Sequence, residues 1–221
     1  MSSAGQIRDI ATRLFAQQGF DGTSIQAIAR EVGITKQSLL YHYENKEVLR
    51  HAVLDNLFAH WRDALPQLLA AVTSGEDRFD LLTRELIDFF RADPDRARLI
   101  IRELLDRPAE MQRIVEENLR PWIHVVAQYI RAGQATSELH ADIDADSYVL
   151  HVIHLVIATI AGFPLLSAAL PRNGATTGSE EQRHLDELLR LVRTALFRPT
   201  DGQASRPFAE KREIERTEPP A

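Results

Sequence analysis

Cysteine is absent from all 221 residues, which excludes a disulfide framework, thiolate zinc sites and a cysteine nucleophile at once. Its absence also fits a reducing, cytoplasmic setting. The opening MSSAGQIRDIATRLF has no basic stretch followed by an apolar run and a cleavage site, so no secretory leader is expected. No segment alternates with period two for long enough to be a strand. Catalytic signatures are missing as well: there is no G-x-S-x-G, Walker, G-x-G-x-x-G or H-E-x-x-H sequence. Asp142-x-Asp144-x-Asp146 starts like a calcium loop, but Ser147 and Ile153 stand where Gly and Glu are needed. His151 and His154 lie i, i+3 with no third ligand fixed by the pattern, so no metal or cofactor is expected and the chain reads as a non-enzyme.

Positive charge is scarce too. The chain carries 26 Lys/Arg against 32 Asp/Glu, a net of −6. Residues 1–51 hold six of the basic groups against five acids, and the remainder 20 against 27. A uniform nucleic-acid coat is excluded, and any site for phosphate must sit in the N-terminal segment.

What is present is helical periodicity. Ile7, Ile10, Ala11, Leu14 and Phe15 form one apolar stripe, with Gly19 as the expected stop. Thr23 and Gln26 make a capping-box pattern for a second helix with Ile25, Ile28, Ala29 and Val32 inward, interrupted by Gly33. Thr35 caps the next helix, with Ser38 and Leu39 facing in, and Asn45 a long fourth helix over 46–72. Asp93-Pro94 opens a further helix, and Pro121 either kinks or restarts the one over 114–131. A loop is expected over 133–145, an apolar helix over 146–170 broken near Gly162-Phe163-Pro164, and a last helix over 180–197 opened by Ser179 and Gln182. The fold class is all-α, with about nine helices. Residues 199–221 hold four of the ten prolines and nine charges, and read as a disordered tail.

Ser147 to Pro171 contains no formally charged residue, long enough to span a bilayer as a helix. His151, His154, the Gly-Phe-Pro interruption and the lack of an anchoring belt favour burial in a soluble protein instead.

The segment Thr23 to Leu49 reads helix, tight turn, helix: the arrangement whose second helix enters the major groove. Thr35, Lys36, Gln37, Leu40 and Tyr41 remain outward, suited to guanine, adenine and thymine edges. Thr23, Ser24, His42 and Lys46 are placed to donate to phosphate oxygens. Over about residues 6–50 the chain resembles TetR-family transcriptional regulators. The residues that carry this are Ile28-Ala29, Gly33-Ile34, Thr35-Lys36, Leu39-Leu40-Tyr41-His42-Tyr43 and Lys46-Glu47-Val48-Leu49. Two positions depart from the family pattern: Leu40 stands where a phosphate-contacting Tyr is usual, with Tyr41 one place later, and Tyr43 replaces a Phe.

The resemblance implies a DNA-binding domain over 1–50 and a ligand-binding and dimerisation domain over 51–198. It also implies a homodimer reading a palindromic operator, and a small molecule that releases it. The apolar helix over 146–170 and the helix over 180–197 are the expected dimer interface. Phe89, Phe90, Arg102, Trp122, Tyr129, His151, His154 and Phe163, aromatic or polar groups on apolar helix faces, are the candidate ligand-binding residues. The rival from another class is an all-α carrier or enzyme that keeps the fold without reading DNA.

Overall fold

The computed structural model describes residues 3–71, 74–170 and 177–198, and within them the chain folds into ten α-helices. The only extended pairing among the described residues is an isolated bridge between Leu139 and Phe197. The expected disordered tail, 199–221, lies outside the described residues.

α1 (Ser3–Gly22) leaves helical geometry at Gly19, where φ is 77° and ψ 167°, and then completes a last turn. A side chain there would strain the backbone and meet Arg102 Nη1 at 3.2 Å. α2 (Ile25–Val32) is capped by Ser24, whose Oγ accepts from the Ala27 N–H, so the cap falls one residue later than the Thr23 pattern indicated. Gly33, at φ 82°, ends α2 in the left-handed conformation and turns the chain into α3 (Lys36–His42). Thr35 caps α3 through the Ser38 N–H, and Asn45 caps α4 (Lys46–Ala71) through that of Val48, both as the pattern indicated. Leu39 is buried, but Ser38 is exposed rather than inward.

α5 (Gly75–Arg91) leads to α6 (Pro94–Asp106), where Asp93 is the cap and Pro94 fills the first turn, whose N–H has no helical partner anyway. α7 (Pro108–Asn118) and α8 (Arg120–Ala135) are separate helices, so Pro121 restarts the chain rather than kinking it. The loop expected from Gly133 begins only after Ala135. α9 (Ala145–Leu166) runs through Gly162 and Pro164 without the expected break. Pro164 lies close enough to the end that only the hydrogen bond to the Ile160 carbonyl is lost. α10 (Thr177–Leu196) starts two residues before Ser179, so the expected capping box lies inside the helix.

One continuous apolar core runs from Ile7, Phe15 and Leu39 through Leu54 and Phe90 to Val156 and Leu185. α6 packs on α1 with one face and on α9 with another, and α4 crosses residue 50 unbroken. The boundary drawn at residue 50 thus falls within a helix.

At that crossing Arg50 is completely buried. Its Nε lies 2.9–3.0 Å from both Glu103 oxygens, its Nη2 also bonds to Glu103, and its Nη1 is 2.7 Å from Glu110. Burial alone would lower the guanidinium's pKa, but the bonds to the two carboxylates outweigh this and raise it. Phe20 sits beside this cluster, with Lys46 Nζ 4.1 Å and the Arg107 guanidinium 4.2 Å from its ring centroid. Glu103→Ala leaves a buried cation without its main partner and should destabilise the fold by about 3–5 kcal/mol in urea unfolding. Glu47→Ala, which removes a half-exposed carboxylate 3.7 Å from Arg50, should change stability far less. The Arg50 hydrogen bond holds the Glu110 carboxyl below its usual range. Its contribution is therefore present above the ordinary glutamate pKa and lost as pH falls through the depressed one.

Candidate DNA-binding face and effector cavity

The α2–α3 pair is held from beneath. Ile28, Ala29 and Leu39 are fully buried against Ile7, Ala11 and Phe15 of α1. A seven-residue helix pinned through Leu39 turns its other faces to solvent, and Thr35, Lys36, Gln37, Tyr41 and His42 are all exposed. Leu40 is half-buried whereas Tyr41 is 89% exposed, so Tyr41 takes the outward position of the two, its ring edge-on to His42. Tyr43 is buried as the Phe it replaces would be. Its hydroxyl reaches the edge, donating to the Ala4 carbonyl and accepting from Arg8.

Two of the expected phosphate donors have other work. Thr23 is 1% exposed, and its hydroxyl lies 2.8 Å from the Gly19 carbonyl and 3.2 Å from that of Leu14. It braces the irregular end of α1, where a carbonyl released from the helix ladder needs a donor, and its side chain does not reach the surface. Lys46 Nζ donates to the Phe20 and Thr23 carbonyls at 2.8 and 2.9 Å. An ammonium has three protons, so one is left for a phosphate. Ser24 is exposed: its oxygen caps α2, and its own O–H can still donate outward.

Beyond α4 a cavity of about 710 Å³ opens between α4, α5, α6, α7, α8, α9 and the end of α10, within the usual size for a small-molecule site. Of the eight candidate ligand residues, Phe89, Phe90, Trp122, Tyr129 and His154 are on its wall. The other three are not. Arg102 points to α1, its Nε donating to the Ala16 carbonyl at 3.1 Å. His151 is exposed and, one step round α9 from His154, lies off the cavity wall. Phe163 is buried beside the His184 ring under α10. The pattern missed Trp61, Phe79, Ile100, Met111 and Tyr148, which line the cavity. They sit on ordinary apolar stripes, and a stripe that lines a cavity has the same spacing as one that fills a core.

Three polar groups of the wall have partners within the protein. Thr83 donates to the Phe79 carbonyl at 2.7 Å and Tyr148 to that of Val192 at 2.7 Å. The Asn118 amide donates to the Ile114 carbonyl and accepts from Arg62. Burial raises the Tyr148 pKa, so it stays a neutral donor.

Residues 7–53 match the family described as bacterial regulatory proteins, tetR family, and residues 76–193, over half the chain, match the tetracyclin repressor-like C-terminal domain. The chain belongs to the tetR family. It is thus a DNA-binding transcriptional regulator, and α2–α3 is its helix-turn-helix. Its N-terminal part is 42% identical over 60 residues to IcaR of Staphylococcus epidermidis, a negative transcriptional regulator of a biofilm operon. That match covers 27% of this chain and 32% of IcaR, so the chain spans about a third of that relative. It is 26% identical over 152 residues to the transcriptional repressor KstR2 of Mycobacterium tuberculosis, covering 64% of this chain and 74% of that one. Superposed on the solved KstR2, described as a ketosteroid transcriptional regulator, it gives a TM-score of 0.64 at 18% identity, over 90% and 96% of the two chains. FadR of Bacillus subtilis, solved with stearoyl-CoA, gives 0.67 at 14% identity, over 86% and 98%.

Thr23→Val keeps the shape but leaves two buried carbonyls without their hydroxyl donor. It should cost about 1–3 kcal/mol in urea unfolding, an outcome a surface phosphate contact would not produce.

Proposed function

We propose that this regulator is a repressor that reads a palindromic operator as a homodimer and lets go when a small molecule occupies the cavity. The observation that carries this reading is α6. Ile100, Ile101 and Leu104 line the cavity, while its other face holds the DNA-binding part: Arg102 bonds the Ala16 carbonyl, Asp95 accepts from Gln17 at 3.2 Å, and Glu103 grips Arg50 of α4. An occupant that displaces α6 therefore moves α1 and the start of α4, and with them the recognition helix. A ligand that favours one arrangement shifts the population toward it. The repressor descriptions of IcaR and KstR2 support repression as the sense of control. Residues 1–50 supply the DNA-reading part and 51–198 the effector and dimer part. The regulator works in the cytoplasm with its DNA, and no catalytic step is needed.

Ser24, Thr35, Lys36, Gln37, Tyr41, His42 and Lys46 are the proposed DNA contacts, with Leu40 at the edge and Thr23 contributing by bracing. A gel shift of the ligand-free protein on its own upstream region tests the reading. No sequence-selective shift at low salt would end it. Lys36→Ala should weaken binding across sequences and reduce the salt slope by about one charge, whereas Gln37→Ala should relax base preference at one position per half-site.

The dimer reading rests on α9. Over its whole length to Ala169 this segment is apolar enough to cross a membrane, with a mean hydropathy of 2.1, and only a third of its most apolar stretch is buried in one protomer. Val149, Val152, Val156, Ile157, Ile160 and Phe163 are buried. Leu155, Leu165 and Leu166 are 45%, 80% and 69% exposed. They lie with His151 and Ala158 on one stripe, and α10 adds the exposed Leu191. Leaving such leucines in water costs roughly 1.5–3 kcal/mol each relative to full burial, and a two-fold partner presenting the same stripe covers them. Ile157, on the buried side, is not an interface position. Leu155→Glu should therefore convert a dimer near twice 25.0 kDa into monomers in sedimentation, with α-helical content kept and operator binding lost. A wild-type monomer at micromolar concentration would overturn the dimer.

A further inference from the structure

The DNA-reading part holds few cations, and most of them are engaged within the protein. Among the described residues 3–71, Arg8 bonds the Tyr43 hydroxyl, Arg13 pairs with Glu31, Lys46 donates to two carbonyls, Arg50 pairs with Glu103 and Arg62 bonds Asn118. That leaves Arg30 and Lys36. Lys36 opens the recognition helix and already stands among the proposed DNA contacts. Arg30 lies in the last turn of α2, exposed, with no hydrogen bond or ion pair to another described residue.

Its direction follows from the helix. At about 100° per residue, Arg30 lies about 150° round α2 from the middle of the buried side formed by Ile28 and Ala29. Glu31 is on the flank that α1 covers, where Arg13 holds it. Gln26, within about 40° of Arg30, belongs to the other flank. It is exposed and makes no described hydrogen bond, because Ser24 rather than the Thr23–Gln26 pattern caps the helix. The row of Gln26 and Arg30 is therefore turned away from α1 and uncovered. The turn that follows is open too: beyond the chain neighbours of Gly33, no atom lies within 4 Å of the place its Cβ would take. Arg30 and Lys36 flank that turn, three residues to either side.

We propose that Arg30 is a further DNA contact, a phosphate clamp on the backbone that α2 crosses while α3 occupies the groove. In a helix-turn-helix the first helix passes over the backbone. A guanidinium on its free side meets phosphate oxygens rather than base edges there, and can hold them with paired N–H groups. Such a contact fixes position and adds affinity without sequence preference. The competing role is local: a cation in the last turn of a helix also offsets the partial negative charge of that end. That role needs no DNA, so salt dependence separates the two. The inference rests on α2–α3 being the DNA-reading pair and is independent of the dimer and effector readings.

The full-length protein is titrated into a labelled duplex of its own upstream region and into a shuffled duplex of equal length, over a range of salt concentrations. Arg30→Ala should weaken binding to both duplexes by the same factor, roughly fivefold or more at about 0.1 M salt, and make the logarithmic salt slope shallower by about 0.9 per half-site. Arg30→Gln, which keeps a long polar side chain without the charge, should match it, and Arg30→Lys should keep most of the slope. Arg113→Ala removes a likewise exposed guanidinium from α7 and should leave both affinities unchanged. An unchanged slope in Arg30→Ala and Arg30→Gln would overturn the proposal, whatever those variants do to stability in urea. A loss confined to the upstream duplex would overturn it as well, since that marks a base contact. So would an equal loss in Arg113→Ala, which marks net charge rather than a site.

Discussion

A guanidinium with no access to water has to be neutralised where it sits, and most of this fold's long-range connectivity follows from how Arg50 solves that problem. Its carboxylates come from α6 and α7, more than fifty residues away, so α4 cannot shift at this point without disturbing both. The stacking of Phe20 under Lys46 and Arg107 places the end of α1 in the same knot. A well-packed apolar contact could slide by small repacking. A buried ion cluster tolerates little of that, because each lost bond leaves a charge in a medium that solvates it poorly. The junction between the DNA-reading and effector parts is thus stiff, and motion on one side is carried to the other.

α6 is the element that joins that knot to the cavity. One face lines empty apolar space with Ile100, Ile101 and Leu104, and another bears Glu103, Arg102 and Asp95. The 3.6-residue period of a single helix is enough to put a ligand wall and a set of interdomain hydrogen bonds on the same rigid rod. The end of the cavity at Gly75 lies about four turns of α5 from this rod.

α9 shows a second consequence of apolar surface. Its charge-free run supports three locations by composition: core, membrane or partner helix. Folding buries about a third of its most apolar stretch, covering Val152, Val156 and Ile160 while leaving Leu165 and Leu166 in the open. The proposed two-fold copy is what would cover the rest without a membrane, in keeping with the acidic balance of the chain outside residues 1–51.

Much of this was readable from local rules. Caps at Thr35, Asn45 and Asp93, the left-handed turn at Gly33 and the buried stripe through Ile28 and Leu39 depend on residues within four positions of each other. They therefore survive in the bare sequence. The helix-turn-helix and its outward residues Lys36, Gln37 and Tyr41 follow from the same short range. Tertiary structure alone decided what depends on distant partners: that Thr23 is spent on the irregular end of α1, that Arg102 serves α1 rather than the cavity, and that Pro164 leaves α9 unbroken. It also decided that Arg50 is buried, since nothing near it in sequence announces Glu103 and Glu110. The cavity is the clearest case. Helical periodicity tells which face of a helix avoids water, but whether that face fills a core or lines a cavity is settled only when seven helices are brought together.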